Sequence, residues 1–163
     1  MKSQKAKVLV VDANPHNIYA AQRQLGDKYQ VSIRATFADA LLAFKSTASY
    51  YDIILIDPYL PRCRGEDGLY GVILALCALS LPTTKLVGLL YGNPRDTSAT
   101  IEALKHVPTM SVGATKLITS SDPAFIKKYV PEDLQNPLKA DDDNPAAIMV
   151  KDWMSFITHV LSS

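Results

Sequence analysis

The sequence is poor in cysteine. Cys63 and Cys77 are the only two in 163 residues, which is too few for a disulfide framework or a Cys-rich zinc site. It has no surplus of either charge: 17 Lys and Arg stand against 16 Asp and Glu, for a net charge of +1. No global attraction to nucleic acid or to anionic lipid follows from so even a balance. It also lacks a long apolar run. The Lys-rich start, Met1 to Lys7, is followed by only Val8–Val11 before Asp12, and Leu69–Leu81 is broken by Gly71 and Ser80. Neither reaches the ~20 residues of a membrane span, and the first is too short for a signal h-region. There is no internal repeat and no second zone of composition large enough for another domain. These absences predict one cytoplasmic domain over residues 1–163, with neither a nucleic-acid nor a membrane partner.

What is present is globular. Apolar residues make up 48% and charged residues 20%, and a chain of this length buries about 70% of its unfolded surface without a metal or disulfide staple. Three short apolar runs stand out: Val8–Val11 ending in Asp12, Ile53–Ile56 ending in Asp57, and Leu86–Leu90 ending in Tyr91-Gly92. Short, near-continuous runs, the first two rich in β-branched residues, read as strands covered on both faces. Weaker strands are expected at Gln30–Ala35, where Val31 and Ile33 alternate with polar residues, and at Ala114–Ile118.

Helical spacing fills the gaps. Pro15–Lys28 carries Ile18, Ala21 and Leu25 behind an Asn14-Pro15 start, and Phe37–Ala48 follows Thr36 as a cap. Leu69–Leu79 is mostly apolar and reads as buried. Arg95–His106 is a fourth helix. A last helix is expected from about Ala147 to Leu161, with Val150, Trp153, Ile157, Val160 and Leu161 as its apolar stripe. Five strand–helix alternations predict an α/β fold, a doubly wound parallel sheet with right-handed crossovers. The stretch from about 120 to 146 fits no such unit. It reads as an insertion without a strand, with a weak helical pattern near Pro123–Val130, and its Asp141-Asp142-Asp143 run reads as a solvated loop rather than a metal site.

Ligands of open parallel sheets bind beyond the carboxyl ends of the strands. Asp12 and Asp57 both stand at such ends. If the first and third strands are neighbours, their backbones lie about 4.8 Å apart and the two carboxylates share one crevice. Like charges that close demand a cation or donors, or leave one carboxylate reactive. The plainer alternative is that each Asp caps the turn after it.

The segments Val8-Leu-Val-Val-Asp-Ala-Asn-Pro-His-Asn17 and Asp52-Ile-Ile-Leu-Ile-Asp-Pro-Tyr-Leu-Pro61 resemble the first and third strands of a response-regulator receiver domain. Gly65 and Gly68 after Pro61, and Gly113-Ala114 before the fifth strand, extend the resemblance, which covers Lys7 to about Thr119 and resumes in the last helix. It implies a flavodoxin-like five-stranded sheet of order 2-1-3-4-5. It implies that Asp57 matches the aspartate that takes a phosphoryl group from a histidine kinase. Asp12 and the backbone carbonyl of Tyr59 then match, with Asp57, the protein contacts of a Mg²⁺ ion.

Several positions depart from the pattern. The second acid of the metal pair is Ala13, so Mg²⁺ binding is expected to be weakened. The hydroxyl residue at the end of the fourth strand is Leu90. The lysine at the end of the fifth strand is Ser120, followed by Ser121 in place of a proline. The switch aromatic is Leu117. Lys116 reaches the site only if the register shifts by several residues.

Together these describe a degenerate receiver acting by protein contact. The expected partner is a histidine kinase or downstream effector, bound through the fourth helix, fifth strand and last helix; with no output domain in these residues, any signal passes by non-covalent contact or the chain is a fragment of a longer protein. An active receiver phosphorylated on Asp57 is one alternative. A small α/β enzyme using the Asp12/Asp57 crevice is another, although no His or Cys stands beside either Asp in sequence and the reading is of a non-enzyme. His16 is expected at the solvent-facing start of the first helix, and His106 and His159 near helix ends. Cys63, between Arg62 and Arg64, is a minor candidate for a reactive thiol. Tyr91-Gly92-Asn93-Pro94 is a turn that fills space at the site, and Trp153 is a core residue.

Overall fold

The computed structural model describes residues 3–46, 50–66, 68–92 and 110–163. Elements follow in the order β1 (Lys7–Val11), α1 (Pro15–Leu25), β2 (Gln30–Arg34), α2 (Phe37–Lys45), β3 (Ile53–Ile56), α3 (Tyr70–Ala78), β4 (Leu86–Leu90), β5 (Met110–Val112) and β6 (Thr115–Ser120). A 3₁₀ turn (Pro123–Phe125), β7 (Ile126–Tyr129), β8 (Ile148–Lys151) and α4 (Trp153–Ser162) complete the chain. The main sheet has the order β2-β1-β3-β4-β6-β5. Its first five members are parallel, which is the expected flavodoxin-like 2-1-3-4-5 arrangement with β6 as the fifth parallel strand. β5 adds an antiparallel edge that the sequence pattern does not announce.

The apolar strands are buried because both faces carry helices. On one face, Leu9, Val11, Ile54, Ile56, Val87, Leu89 and Leu117 pack with Ala40 and Ala43 of α2 and with Leu74 and Ala75 of α3. On the other, Val8, Val10, Leu55, Leu90 and Ile118 pack with Ala20, Ala21 and Leu25 of α1 and with Trp153, Phe156, Ile157 and Val160 of α4. The expected helix starts hold. Asn14 Oδ1 accepts from His16 N at 2.9 Å, with Pro15 in the first turn, and Thr36 Oγ1 accepts from Asp39 N at 3.1 Å. The expected fourth helix, Arg95–His106, lies outside the described residues. No helix among the described residues is long and apolar enough to cross a membrane.

The insertion is where the sequence expectation fails. It does contain strands: β7 and β8 pair antiparallel as a separate two-stranded sheet, from Ile126↔Lys151 to Tyr129↔Ile148. The last helix therefore starts at Trp153 instead of Ala147. Asp152 sets that start, its Oδ1 accepting from Ser155 N at 3.0 Å in an N-cap that a run of Ile148, Val150 and Trp153 hides in the hydropathy pattern. The hairpin docks on α1 through side chains that reach into the core. Tyr129, Leu134 and Val150 join the α1/α4 cluster. Asp141, Asp142 and Asp143 are exposed as expected, with Asp142 Oδ1 accepting from Asn144 N at 3.1 Å in a local turn.

Two glycines mark where elements approach too closely for a side chain. Gly88 in β4 lies under α4, so that an added Cβ would stand 2.8 Å from the Phe156 ring and 2.9 Å from Leu55. Gly71 in α3 lies against the chain after β3, with the Cβ site 1.8 Å from the Asp57 carbonyl oxygen. Alanine is the better helix former by about 1 kcal/mol. Gly71→Ala is nonetheless expected to destabilise the protein by at least about 1–3 kcal/mol, because the obstacle is backbone and cannot rotate away. Urea unfolding of the variant checks this, and a gain in stability would show that α3 is not pinned to the Asp57 loop.

Candidate functional site

The register decides the site. Val11 pairs with Ile56, and the residues that follow, Asp12 and Asp57, leave the sheet side by side, with Asp57 N donating to Val11 O at 2.9 Å. The expected crevice forms at the carboxyl ends of β1 and β3, lined by Asp12, Asn14, Asn17, Asp57, Tyr59 and Gly92, with a volume of about 510 Å³. Asp12 is almost wholly buried. Its Oδ1 accepts from Asn14 N at 2.8 Å and its Oδ2 from Asn17 Nδ2 at 3.1 Å. Asp57 is slightly more open, with 14% of its side chain exposed, and its Oδ1 accepts from Tyr59 N at 2.6 Å.

Between the two carboxylates lies a residue the sequence pattern does not single out. Lys151, the last residue of β8, is 1% exposed, and its Nζ lies 2.8 Å from Asp12 Oδ2 and 2.5 Å from Asp57 Oδ2. Its stem runs over Gly92, where an added Cβ would stand 2.6 Å from Lys151 Cε. The ammonium also sits 5.0 Å from the centre of a Trp153 ring, within range of a favourable cation–π contact.

Two polar residues seven apart on α1 put Lys151 there. Asn17 accepts from Lys151 N at 3.1 Å through Oδ1 while its amide donates to Asp12. Gln24 donates to Lys151 O at 3.3 Å and to Leu134 O at 3.0 Å, and its Oε1 accepts from Trp153 N at 2.7 Å. Gln24 thus fastens hairpin and helix start together. Asp152 adds an ion pair with Lys127 of β7. Buried Asn and Gln on the inward face of α1 are the signal that could have exposed this arrangement, since such groups must find partners.

Two carboxylates and one ammonium leave the cluster one negative charge in excess when all are ionised. Burial pushes the Asp12 carboxyl up to about 6, and repulsion by Asp57 adds to it, against the pull of Lys151 and the Asn14 N–H. For Lys151, burial works against the charge, but attraction to Asp12 and Asp57 outweighs it and raises the pKa above its ordinary value.

The other expected positions fall as follows. Ala13 is at the exposed rim and offers no oxygen. Leu90 is fully buried in the α1/α4 cluster, and Leu117 in the opposite one. Leu90 and Ser120 are register partners at the ends of β4 and β6. Ser120 Oγ accepts from Asp122 N at 3.2 Å and so serves the turn after β6. Lys116 pairs with Leu86 at the start of the strands, and its Nζ donates to Ser163 O at 3.2 Å, so it does not approach the crevice. Tyr91 is buried in the α2/α3 cluster, and burial pushes its phenol up to about 12. Asn93, Pro94 and His106 lie outside the described residues. His16 and His159 are exposed. Cys63 and Cys77 are both free, Cys63 in the open.

A Mg²⁺ ion does not fit this arrangement. It demands near-octahedral oxygen ligands at 2.0–2.1 Å, whereas Oδ2 of both carboxylates is engaged by an ammonium and position 13 lacks a carboxylate. The described residues contain no group of three His, Cys, Asp or Glu side chains able to hold a metal.

No family model and no curated protein matches the sequence. Among solved structures, a CheY-like response regulator receiver domain protein from Methanospirillum hungatei JF-1 is 22% identical, over 75% of this chain and 86% of its own, with a TM-score of 0.48. The N-terminal domain of a response regulator/sensory box/GGDEF protein from Carboxydothermus hydrogenoformans is 23% identical, over 69% and 80%, with a TM-score of 0.46. A two-component response regulator from Cytophaga hutchinsonii is 14% identical, over 99% and 100%, with a TM-score of 0.49. The strand order and parallel pairing of the described residues are those of a flavodoxin-like fold. That fold places Asp57 at the carboxyl end of the central strand, and the crevice there is closed by a lysine from the hairpin.

Proposed function

We propose that this chain is a receiver-like signalling module of a two-component system that works by protein–protein contact, with phosphoryl transfer to Asp57 impaired. The observation that carries this is that one buried ammonium holds Oδ2 of both Asp57 and Asp12, at 2.5 and 2.8 Å, in the space a metal ion would need to assist phosphoryl transfer. A carboxylate paired in this way is a poorer nucleophile. The surroundings also lack the second acid, at Ala13, and the strand-end hydroxyl, at Leu90, that the resemblance leads one to expect. The partner is a kinase or effector in the cytoplasm, met through a face that includes β6 and α4. No step of chemical turnover is assigned to the crevice, which among the described residues is lined by no His or Cys.

One feature favours the active-receiver reading. A lysine does touch Asp57, although it comes from β8 and not from the end of the fifth parallel strand. Incubation with acetyl phosphate and Mg²⁺ followed by intact-mass measurement separates the two. The expected result is no phosphoryl adduct beyond that of Asp57→Asn. An adduct on the wild-type chain that Asp57→Asn lacks would establish phosphorylation and sink the proposal.

A further inference from the structure

We infer that Lys151 is the crevice's own cation: carried in on the β7–β8 hairpin, it takes the place of a divalent ion between Asp12 and Asp57 and makes the site independent of metal. This deepens the receiver-like reading and rests on it, but its test concerns cation binding and stability, not phosphoryl transfer.

Three observations carry the inference. First, the ammonium contacts Oδ2 of both carboxylates, which are the two side-chain oxygens a bridging ion would need. Secondly, the space for the lysine is built. Gly92 leaves open the volume its stem fills, and any larger residue there would drive Cε away from the carboxylates. Thirdly, the lysine is positioned before it pairs. Asn17 grips its backbone N–H while also holding Asp12, Gln24 holds its carbonyl, and Val150 and Trp153 on either side are in the core.

A free Mg²⁺ ion must lose part of its hydration shell and its translational freedom to enter. A tethered ammonium has already met that entropic cost when the hairpin folds, and its effective concentration is set by the chain. A divalent ion would therefore have to expel a buried charge fixed to two elements, and it would find only two carboxylates in return. Asn17 and Gly92 are positioning residues in this scheme, since each acts through Lys151.

The test uses Mn²⁺ as the probe, with amide NMR spectra and thermal unfolding of the full chain. In the wild type, Mn²⁺ should leave the amides of Asn14, Asp57 and Tyr59 unbroadened, and Mg²⁺ should leave the unfolding temperature unchanged. In Lys151→Met, the same amides should broaden selectively and Mg²⁺ should raise the unfolding temperature. Both effects should disappear in the Asp12→Asn/Lys151→Met double variant. Selective broadening in the wild type, or its absence in folded Lys151→Met, overturns the inference. If Lys151→Met does not fold, the double variant decides: it should fold, because the uncompensated buried carboxylate of Asp12 is gone, and its failure to fold would overturn the inference, since removing the charge crowding would then not restore the fold.

Discussion

Lys151→Met is expected to lower the free energy of unfolding by about 3–5 kcal/mol, the range seen when one partner of a buried ion pair is removed. Methionine matches the length and most of the volume of the lysine stem, so the packing over Gly92 is kept and the loss is electrostatic. What remains is Asp12, 1% exposed and close to a second carboxylate. The loss is smaller when the carboxylate goes too, and Asp12→Asn in the Lys151→Met background should recover part of it. A deficit in the double variant that equals the sum of the two single ones would mean that the groups do not interact.

The pH dependence has a definite sign. The folded protein holds the Lys151 proton more tightly than the ordinary 10.5 of an unfolded lysine. Its stabilising contribution is therefore complete below pH 10.5 and is lost as the pH rises through the higher folded value. Urea unfolding between pH 8 and roughly pH 11 should fall more steeply for the wild type than for Lys151→Met, and parallel curves would contradict the assignment.

Trp153→Ala should cost a similar amount, about 3–5 kcal/mol, for a different reason. The side chain is fully buried between α1 and the sheet, and its Nε1 donates to Asn17 O at 2.9 Å. Truncation opens a cavity and also leaves the ammonium without the ring beside it. Trp153→Phe separates the contributions. It keeps most of the packing and gives up the indole hydrogen bond, so it should cost about 0.5–1.5 kcal/mol from that bond plus a small packing loss. Equal losses for Phe and Ala would place the whole effect in the hydrogen bond. Because Trp153 follows Lys151 by two residues, the alanine variant should also loosen the crevice, seen as faster hydrogen exchange at the Lys151 amide, while the amides of β1 and β3 stay protected.

The sheet was legible because its information is local. Val8–Val11, Ile53–Ile56 and Leu86–Leu90 are short and apolar without alternation, a pattern that fits strands covered on both faces, and the structure pairs them in the expected order. The caps Asn14 and Thr36 were legible for the same reason, since an N-cap is decided within four residues. The hairpin was not. Ile126–Tyr129 and Ile148–Lys151 are four-residue strands separated by 18 residues, and such short segments carry too few periods to declare themselves. Their pairing brings them a core through Tyr129 and Val150, which no window around either strand contains.

The candidate site divides along the same line. From the residues alone, Asp12 and Asp57 were legible as the ends of two apolar strands, sharing a crevice if those strands are neighbours, and the resemblance marked Ala13, Leu90 and Ser120 as positions without the second acid, the strand-end hydroxyl and the lysine; the pairing of β1 with β3 supplied the adjacency. Charge crowding then required a cation or donors, and that requirement was local chemistry. Which cation answers it was decided only by the tertiary structure. Lys151 lies 94 residues from Asp57 and 139 from Asp12, and a lysine next to Val150 and Asp152 carries no local sign of being buried. Its position follows from the hairpin, the two polar residues of α1 and the missing side chain at Gly92, and those meet only when the chain is folded.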